Sequence, residues 1–153
     1  MLAVEAGPGI SHSSDGNMLG IRYEADWVPV EQMMSFVDLS ASTWSGDAEN
    51  TSVGAALGLR YGLPRDNYLS ASMGLAYVAN ETENLGTNGQ FLFRFALGHR
   101  YERYDFSIGY THYSNGKGLF GWDGPNRGDD FITLQLGYHF GAEPSQVSPL
   151  PGR

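Results

Sequence analysis

The strongest constraint on this chain is a period of two in its hydrophobicity. Segments of about ten residues, the length that a tilted strand needs to cross a bilayer, alternate apolar side chains with charged, hydroxyl or glycine residues. Successive side chains of a β-strand point to opposite faces, so this pattern predicts strands with one apolar and one polar face. Eight such segments are present, and only residues 34–45 have an ambiguous pattern. The sequence therefore predicts an all-β protein.

The second segment shows the alternation clearly. Leu19, Ile21 and Tyr23 form its apolar series, and Arg22 and Glu24 lie between them. Because side chains two residues apart share a face, one face of this strand is predicted to be apolar and the other charged. The same rule assigns three residues of later segments to apolar faces, namely Leu57, Phe93 and Leu134.

Eight alternating strands fit two closed architectures, a soluble lipid-binding barrel with its apolar face inward and a membrane barrel with that face outward. The polar series favours the second, because its arginines and acids can pair inside a narrow barrel, and aromatic residues near the strand ends fit interfacial girdles. The sequence therefore predicts an eight-stranded antiparallel transmembrane β-barrel. The charged residues of the polar series are Glu5, Arg22, Glu24, Asp26, Arg60, Arg94 and Arg100.

The connections between the segments alternate in length. Outer-membrane barrels have short periplasmic turns and longer external loops, so both termini of the chain are predicted to lie on the periplasmic side. The barrel is expected to span residues 1–140, and the proline-containing tail, residues 141–153, is expected to be disordered. The longer connections are residues 11–17, 45–50, 80–89 and 116–128, and the shorter ones are residues 29–32, 63–67 and 101–104.

Composition excludes several classes of function. The net charge of −8 and the scattered lysines and arginines argue against a nucleic-acid partner. The chain has no cysteine, so disulfides and cysteine-ligated metals are excluded, and its histidines lack the spacing of a metal site. No cofactor is expected. Met1 leads directly into strand-like sequence, so an export signal is expected to have been removed from this chain.

The seventh segment carries polar chemistry on its apolar face. The series that begins with Phe106, Ile108 and Tyr110 continues with His112 and Ser114. Residues at this spacing lie close enough for an imidazole to contact a serine hydroxyl. Counting back by twos along the neighbouring strand, from Leu134 through Ile132, reaches Asp130, which could orient the imidazole. Spacing alone leaves two alternatives, a catalytic triad and a polar rim that meets lipid headgroups.

Two stretches of the sequence, "HYSNGKGL" at residues 112–119 and "PNRGDDF" at residues 125–131, resemble the lipid A 3-O-deacylase (PagL) or acyloxyacyl hydrolase family of outer-membrane barrels. The resemblance implies that Ser114 is the nucleophile, His112 the general base and Asp130 the orienting acid. It also implies an oxyanion hole at Asn115 with Gly118, or Gly116 as the alternative. The sequence departs from the family at Asp130, where the family has glutamate.

The resemblance implies hydrolysis of an ester-linked 3-hydroxyacyl chain at the 3-O position of lipid A, in the Gram-negative outer membrane. The partners expected are lipopolysaccharide, as the substrate, and the surrounding outer-membrane lipid. Lys117, Asn126 and Arg127 are candidate substrate-binding residues, and the two cations among them, Lys117 and Arg127, could meet lipid A phosphates. The sequence does not decide between a monomer and a homodimer. The alternative function is a non-enzymatic small outer-membrane barrel with a structural or adhesive role.

Overall fold

The computed structural model describes residues 1–11, 16–30, 33–45, 49–116, 124 and 127–140. Within these ranges, eight antiparallel strands pair in chain order, and β1 also pairs with β8, so the barrel is closed. The predicted fold class is confirmed. The strands are β1 Leu2–Pro8, β2 Asn17–Val30, β3 Met33–Trp44, β4 Asn50–Gly62, β5 Asn67–Val78, β6 Gly89–Tyr101, β7 Tyr104–Ser114 and β8 Asp129–Tyr138.

The outer wall of the barrel carries the apolar series. Leu57 and Leu134 are 59% and 69% exposed, whereas Glu5 and Arg22 of the polar series are buried. Phe93 also faces outward but is half-buried between its neighbours on the wall. The pleat of the strands therefore places apolar side chains outside and polar side chains inside, as the alternation predicts. No helix in the described ranges is long and apolar enough to cross a membrane.

Charged side chains from several strands pair in the middle of the barrel. The Arg22 guanidinium donates to Asp38 at 2.9 Å, and Arg94 donates to the same carboxylate at 2.9 Å. Arg60 pairs with Glu24. Because isolated charges are costly to bury, this mutual pairing explains how so many ionised groups occupy a closed interior. Asp38 lies on β3, the segment with the ambiguous pattern, and it is fully buried.

Glycine makes room for large side chains in this interior. A Cβ atom at Gly58 would lie 2.2 Å from Cζ of Phe36, far closer than two carbon atoms can approach. The ring of Phe36 also lies under the Arg60 guanidinium, whose Cζ is 4.9 Å from the ring centroid. The glycine-rich polar series thus accommodates aromatic rings as well as ion pairs.

The longer connections lie at one end of the barrel, called the external end below. The inward side chains at this end include an apolar cluster, although the alternation assigns polar residues to the inner face. The β5–β6 loop, residues 79–88, contributes Leu85 to this cluster. Rings and aliphatic groups can fill the space because the loop and the wall shelter it. The cluster comprises Met18, Trp44, Ala76, Val78, Leu85, Leu92, Tyr113 and Phe131.

The shorter connections lie at the opposite end. One of them is shorter than the sequence predicted, because Pro29 and Val30 continue β2, with a register irregularity between Asp26 and Pro29. Proline is tolerated at such an irregularity, where it removes no regular ladder hydrogen bond. The predicted tail, residues 141–153, lies outside the described residues, so the proposed division into barrel and tail stays a prediction.

Candidate active site

The strand register brings His112 and Asp130 together. His112 is the third-last residue of β7 and Asp130 the second residue of β8, and the two are directly paired across the antiparallel ladder. Directly opposed residues have their side chains on the same face, with Cβ atoms about 5 Å apart. Both residues therefore lie on the outer wall near the external end of the barrel.

The imidazole and the carboxylate form a hydrogen bond. His112 Nδ1 donates to Asp130 Oδ1 at 2.7 Å. A carboxylate in its ionised form only accepts, so in this contact Nδ1 is the donor, and in the neutral imidazole with its proton on Nδ1 the lone pair is on Nε2. The side chains are 27% and 20% exposed, which leaves the pair accessible from the membrane side but partly sheltered by its neighbours. This is the tautomer that a general base acting through Nε2 needs.

Ser114 follows His112 on the same face. It is the last residue of β7, it pairs with Phe91 on β6, and it is half-buried. The Cα atoms of two residues at this spacing are roughly 7 Å apart, which side chains of this size can bridge. The described geometry thus puts a hydroxyl, an imidazole and a carboxylate on one patch of the wall.

The two neighbouring carboxylates of β8 point in opposite directions. Asp129 pairs with Tyr113 and is 2% exposed, so its side chain faces the interior. Asp130 shares the outer face with His112. Parity along the strand therefore separates two adjacent acids that the sequence offers for the same role.

Three further residues surround the imidazole. The Tyr110 ring lies nearly parallel to it, at 11° and 6.4 Å between centroids, and the Phe93 ring lies 6.1 Å away at 40°. Gly128 has φ of +70°, and a Cβ there would lie 2.8 Å from His112 Cε1 and 2.5 Å from the Tyr113 carbonyl oxygen. Glycine is therefore needed at this position both for its backbone conformation and for its close approach.

Tyr110 also contacts the acid. Its hydroxyl donates to Asp130 Oδ1 at 2.5 Å, the same oxygen that accepts from His112. The sequence analysis missed this contact, although its signal was available. Tyr110 precedes His112 by two residues on the same face, and it pairs with Ile132, two residues from Asp130.

The β5–β6 loop holds the backbone on both sides of the site. The Leu85 carbonyl accepts a hydrogen bond from Asn115 Nδ2 at 2.8 Å, and the Asn84 carbonyl accepts from the amides of Arg127 and Gly128 at 3.3 Å each. These contacts join residues distant in the sequence, so the pattern of a single strand could not reveal them. The loop links the residue after Ser114 to the residues before β8.

Of the other residues that the sequence predicts for the oxyanion hole and for substrate binding, the structure describes Asn115, Gly116 and Arg127. Asn115 is fully buried and its side chain points inward, so an oxyanion contribution from this residue would have to come from its main chain. Gly116 has φ of +66° and turns the chain away from β7, and Arg127 is exposed. Lys117, Gly118 and Asn126 lie outside the described residues. In the part of the chain that the structure describes, no three histidine or acidic side chains lie close enough together to hold a metal ion.

Comparison with known proteins identifies the family. The family model described as lipid A 3-O-deacylase (PagL) matches residues 15–139 of the chain. The chain belongs to this family. The lipid A 3-O-deacylases are thus the family that the two motifs predicted, and the chain is a hydrolase that deacylates lipid A in the outer membrane.

Solved structures share the barrel. The crystal structure of the outer membrane enzyme PagL matches with a TM-score of 0.73 and 22% identity, over 90% of this chain and 99% of that one. The outer membrane protein Ail of Yersinia pestis, determined in a phospholipid bilayer nanodisc, matches with a TM-score of 0.55 and 10% identity, over 91% and 98%. A search of curated proteins finds no match. At these identities the structural likeness shows the fold alone.

Proposed function

We propose that this member of the lipid A 3-O-deacylase family removes an ester-linked 3-hydroxyacyl chain from the 3-O position of lipid A by a serine-esterase mechanism. Ser114 is the nucleophile, His112 the general base and Asp130 the acid that orients the imidazole. The hydrogen bond between His112 and Asp130 on the outer wall, with Ser114 on the same face, carries the proposal. A polar trio on a lipid-facing wall costs free energy, which favours a functional role.

The proposed reaction follows the chemistry of serine esterases. His112 Nε2 takes the proton of Ser114 Oγ as the oxygen attacks the ester carbonyl, and Asp130 stabilises the imidazolium that forms. The intermediate collapses as the bond to the sugar oxygen breaks, and His112 returns the proton to that oxygen. A water molecule, activated by the same imidazole, then hydrolyses the acyl-serine ester and releases the 3-hydroxy fatty acid. The reaction uses no cofactor.

The outward position of the trio suits a membrane-bound substrate. Lipid A lies in the external leaflet and can reach the wall by lateral diffusion. An open apolar groove of about 570 Å³ adjoins the site, and Ile108, Tyr110 and Ile132 are among the residues that line it. Because the groove runs along the wall from the site, an acyl chain could lie there while its ester bond meets Ser114.

The donors that stabilise the oxyanion are part of the same proposal. The main-chain N–H of Asn115, with that of Gly116 or Gly118, would donate to the developing charge, and each such donor contributes about 3 kcal/mol. Lys117, Asn126 and Arg127 would contact the lipid A phosphates. Neither the described residues nor the comparisons support a homodimer, so the proposal concerns one chain and one lipid molecule.

The test is the deacylation of purified lipopolysaccharide by the refolded barrel, followed by mass spectrometry of the lipid. The parent is expected to release 3-hydroxy fatty acid, and Ser114→Ala and His112→Ala are expected to release almost none. Because triad members act as a unit, the double variant should be scarcely worse than either single one.

Folded barrels are verified in each case by their heat-modifiable electrophoretic mobility. An inactive parent would favour the alternative of a structural or adhesive barrel. Substantial activity in Ser114→Ala would show that another residue is the nucleophile.

A further inference from the structure

Two donors meet on one oxygen atom of Asp130. The Tyr110 hydroxyl donates to Oδ1 at 2.5 Å and His112 Nδ1 donates to the same atom at 2.7 Å. Tyr110 reaches this oxygen diagonally, since it is paired with Ile132 while His112 is paired with Asp130. Diagonal neighbours on one face of an antiparallel pair are within reach of aromatic side chains. The contact is therefore built by the same register that forms the His112–Asp130 pair.

We propose that Tyr110 is a positioning residue of the triad: its hydroxyl fixes the orientation of the Asp130 carboxylate, and its ring limits the tilt of the His112 imidazole. The inference rests on the proposed function, because the Tyr110 hydroxyl acts through Asp130 and His112. The ring also lines the groove proposed for the acyl chain, and phenylalanine at this position keeps that ring.

The Tyr110 hydroxyl gives the Asp130 carboxylate a hydrogen-bond donor in addition to His112. A carboxylate held by one donor can still rotate about its terminal torsion, which is broad for aspartate. A second donor on the same oxygen restricts that rotation. Hydrogen bonds to an ionised acceptor are short and strong, and the side chain of Asp130 is only 20% exposed beside a lipid-facing surface.

The ring acts on the imidazole from one side. It is parallel to His112 within 11°, and the Phe93 ring lies on the neighbouring strand at 6.1 Å from the same imidazole. Gly128 approaches the Cε1 edge. Asp130 holds Nδ1, and these neighbours flank the ring and restrict its tilt, so that Nε2 can face Ser114.

A purely interfacial role predicts different behaviour. Tyrosines at membrane interfaces anchor a barrel through an amphipathic ring, and phenylalanine keeps most of that ring's apolar area. Tyr110→Phe therefore separates the two roles, since it keeps the ring and removes only the hydroxyl. Tyr77, an exposed residue of β5, supplies a matched control as Tyr77→Phe.

The experiment measures kcat and KM for release of 3-hydroxy fatty acid from lipopolysaccharide in detergent micelles. Loss of a hydrogen bond to a charged group is expected to lower kcat roughly 10-fold or more in Tyr110→Phe. KM should stay within about twofold of the parent, because the substrate does not touch the hydroxyl. Tyr77→Phe should match the parent in both constants.

A double-mutant cycle tests whether Tyr110 acts through Asp130. Adding Tyr110→Phe to Asp130→Asn should cause little further loss, since the hydroxyl then has no carboxylate to orient. Labelling of Ser114 by a fluorophosphonate gives a second readout that does not need lipopolysaccharide, and Tyr110→Phe should slow it by a similar factor.

The outcomes separate the inference from the proposed function. Parent-like kcat and labelling in Tyr110→Phe, with Ser114→Ala inactive, would overturn the role of Tyr110 alone. Equal losses in Tyr77→Phe, a change confined to KM, or full additivity with Asp130→Asn would also overturn it. A parent that neither deacylates nor reacts with the fluorophosphonate would overturn both.

Discussion

At the scale of single residues, the site depends on which way each side chain of β7 and β8 points. His112 and Asp130 share the outer face while Asp129 is buried inside the barrel. Their separation is a property of the strand pleat, so no side-chain rearrangement could exchange the two acids. The proposed chemistry therefore uses only one of two adjacent aspartates, whose side chains point to opposite faces of the strand.

This parity leads to a prediction for the two acids. Asp130→Asn should lose most deacylation, because a wrongly oriented imidazole can cost up to about 10⁴ in rate. Asp129→Asn should keep most of its activity as the matched control, and Asp130→Glu should remain active because glutamate is the acid of the family pattern. Release of 3-hydroxy fatty acid by the three variants is the measurement. A silent Asp130→Asn, or equal impairment by both asparagines, would remove Asp130 from the triad.

At the scale of elements, the β5–β6 loop connects two strands and also supports the site on two others. Leu85 is fully buried in the apolar cluster of the external end, and its carbonyl accepts from Asn115 Nδ2. The Asn84 carbonyl accepts from the Gly128 amide, beside the imidazole. The packing of Leu85 is thus linked to the site through the carbonyls of Leu85 and Asn84. These carbonyls bind Asn115, which follows Ser114, and Gly128, which lies two residues before Asp130.

Truncating that side chain should therefore impair the site from a distance. A buried leucine replaced by alanine costs about 2–5 kcal/mol, and in Leu85→Ala the loss should appear mainly as loosening of the loop. We expect lower kcat and faster proteolysis within residues 79–88, with the barrel still folded. Glu83→Ala, an exposed change in the same loop, is the control. Unchanged activity in Leu85→Ala would show that the loop does not support the site.

The strands and their outer faces could be predicted from the sequence, whereas contacts that depend on closure of the barrel could not. Alternation predicts the strands, the outward position of Leu57 and the pairing of His112 with Asp130, because each follows from parity along one strand or between two neighbours. The contacts of Leu85 and the burial of Asp38 depend on several strands closing into one barrel. No local pattern encodes them, and the segment around Asp38 mixes polar and apolar residues on both faces.

At the scale of the whole molecule, the barrel reverses the usual arrangement of a soluble protein. Three buried arginines pair with acids in its interior, and aliphatic residues cover its outer wall. In a bilayer, this wall meets hydrocarbon. Each of the eight described strands has a hydrogen-bonded neighbour on both sides, so none of them is an edge strand exposed to lipid.

The wall assignment predicts how the barrel responds to charge. Leu134→Arg, near the middle of β8, should destabilise the folded barrel in bilayers by about 2–4 kcal/mol, since the guanidinium would face hydrocarbon. Leu134→Ile keeps the apolar character and should change stability little. Equilibrium refolding into lipid vesicles measures both. Arginine accommodated as readily as isoleucine would contradict the outward position of Leu134.

The pairing of His112 with Asp130 across β7 and β8 also determines when the protein can become active. A lone hairpin is marginally stable in water, so an unassembled chain does not hold the imidazole against the carboxylate. The proposed catalyst therefore comes into existence as the strands zip together in the membrane where lipid A resides. On this proposal, a chain still in transit is inactive, and its own folding in the membrane assembles the site.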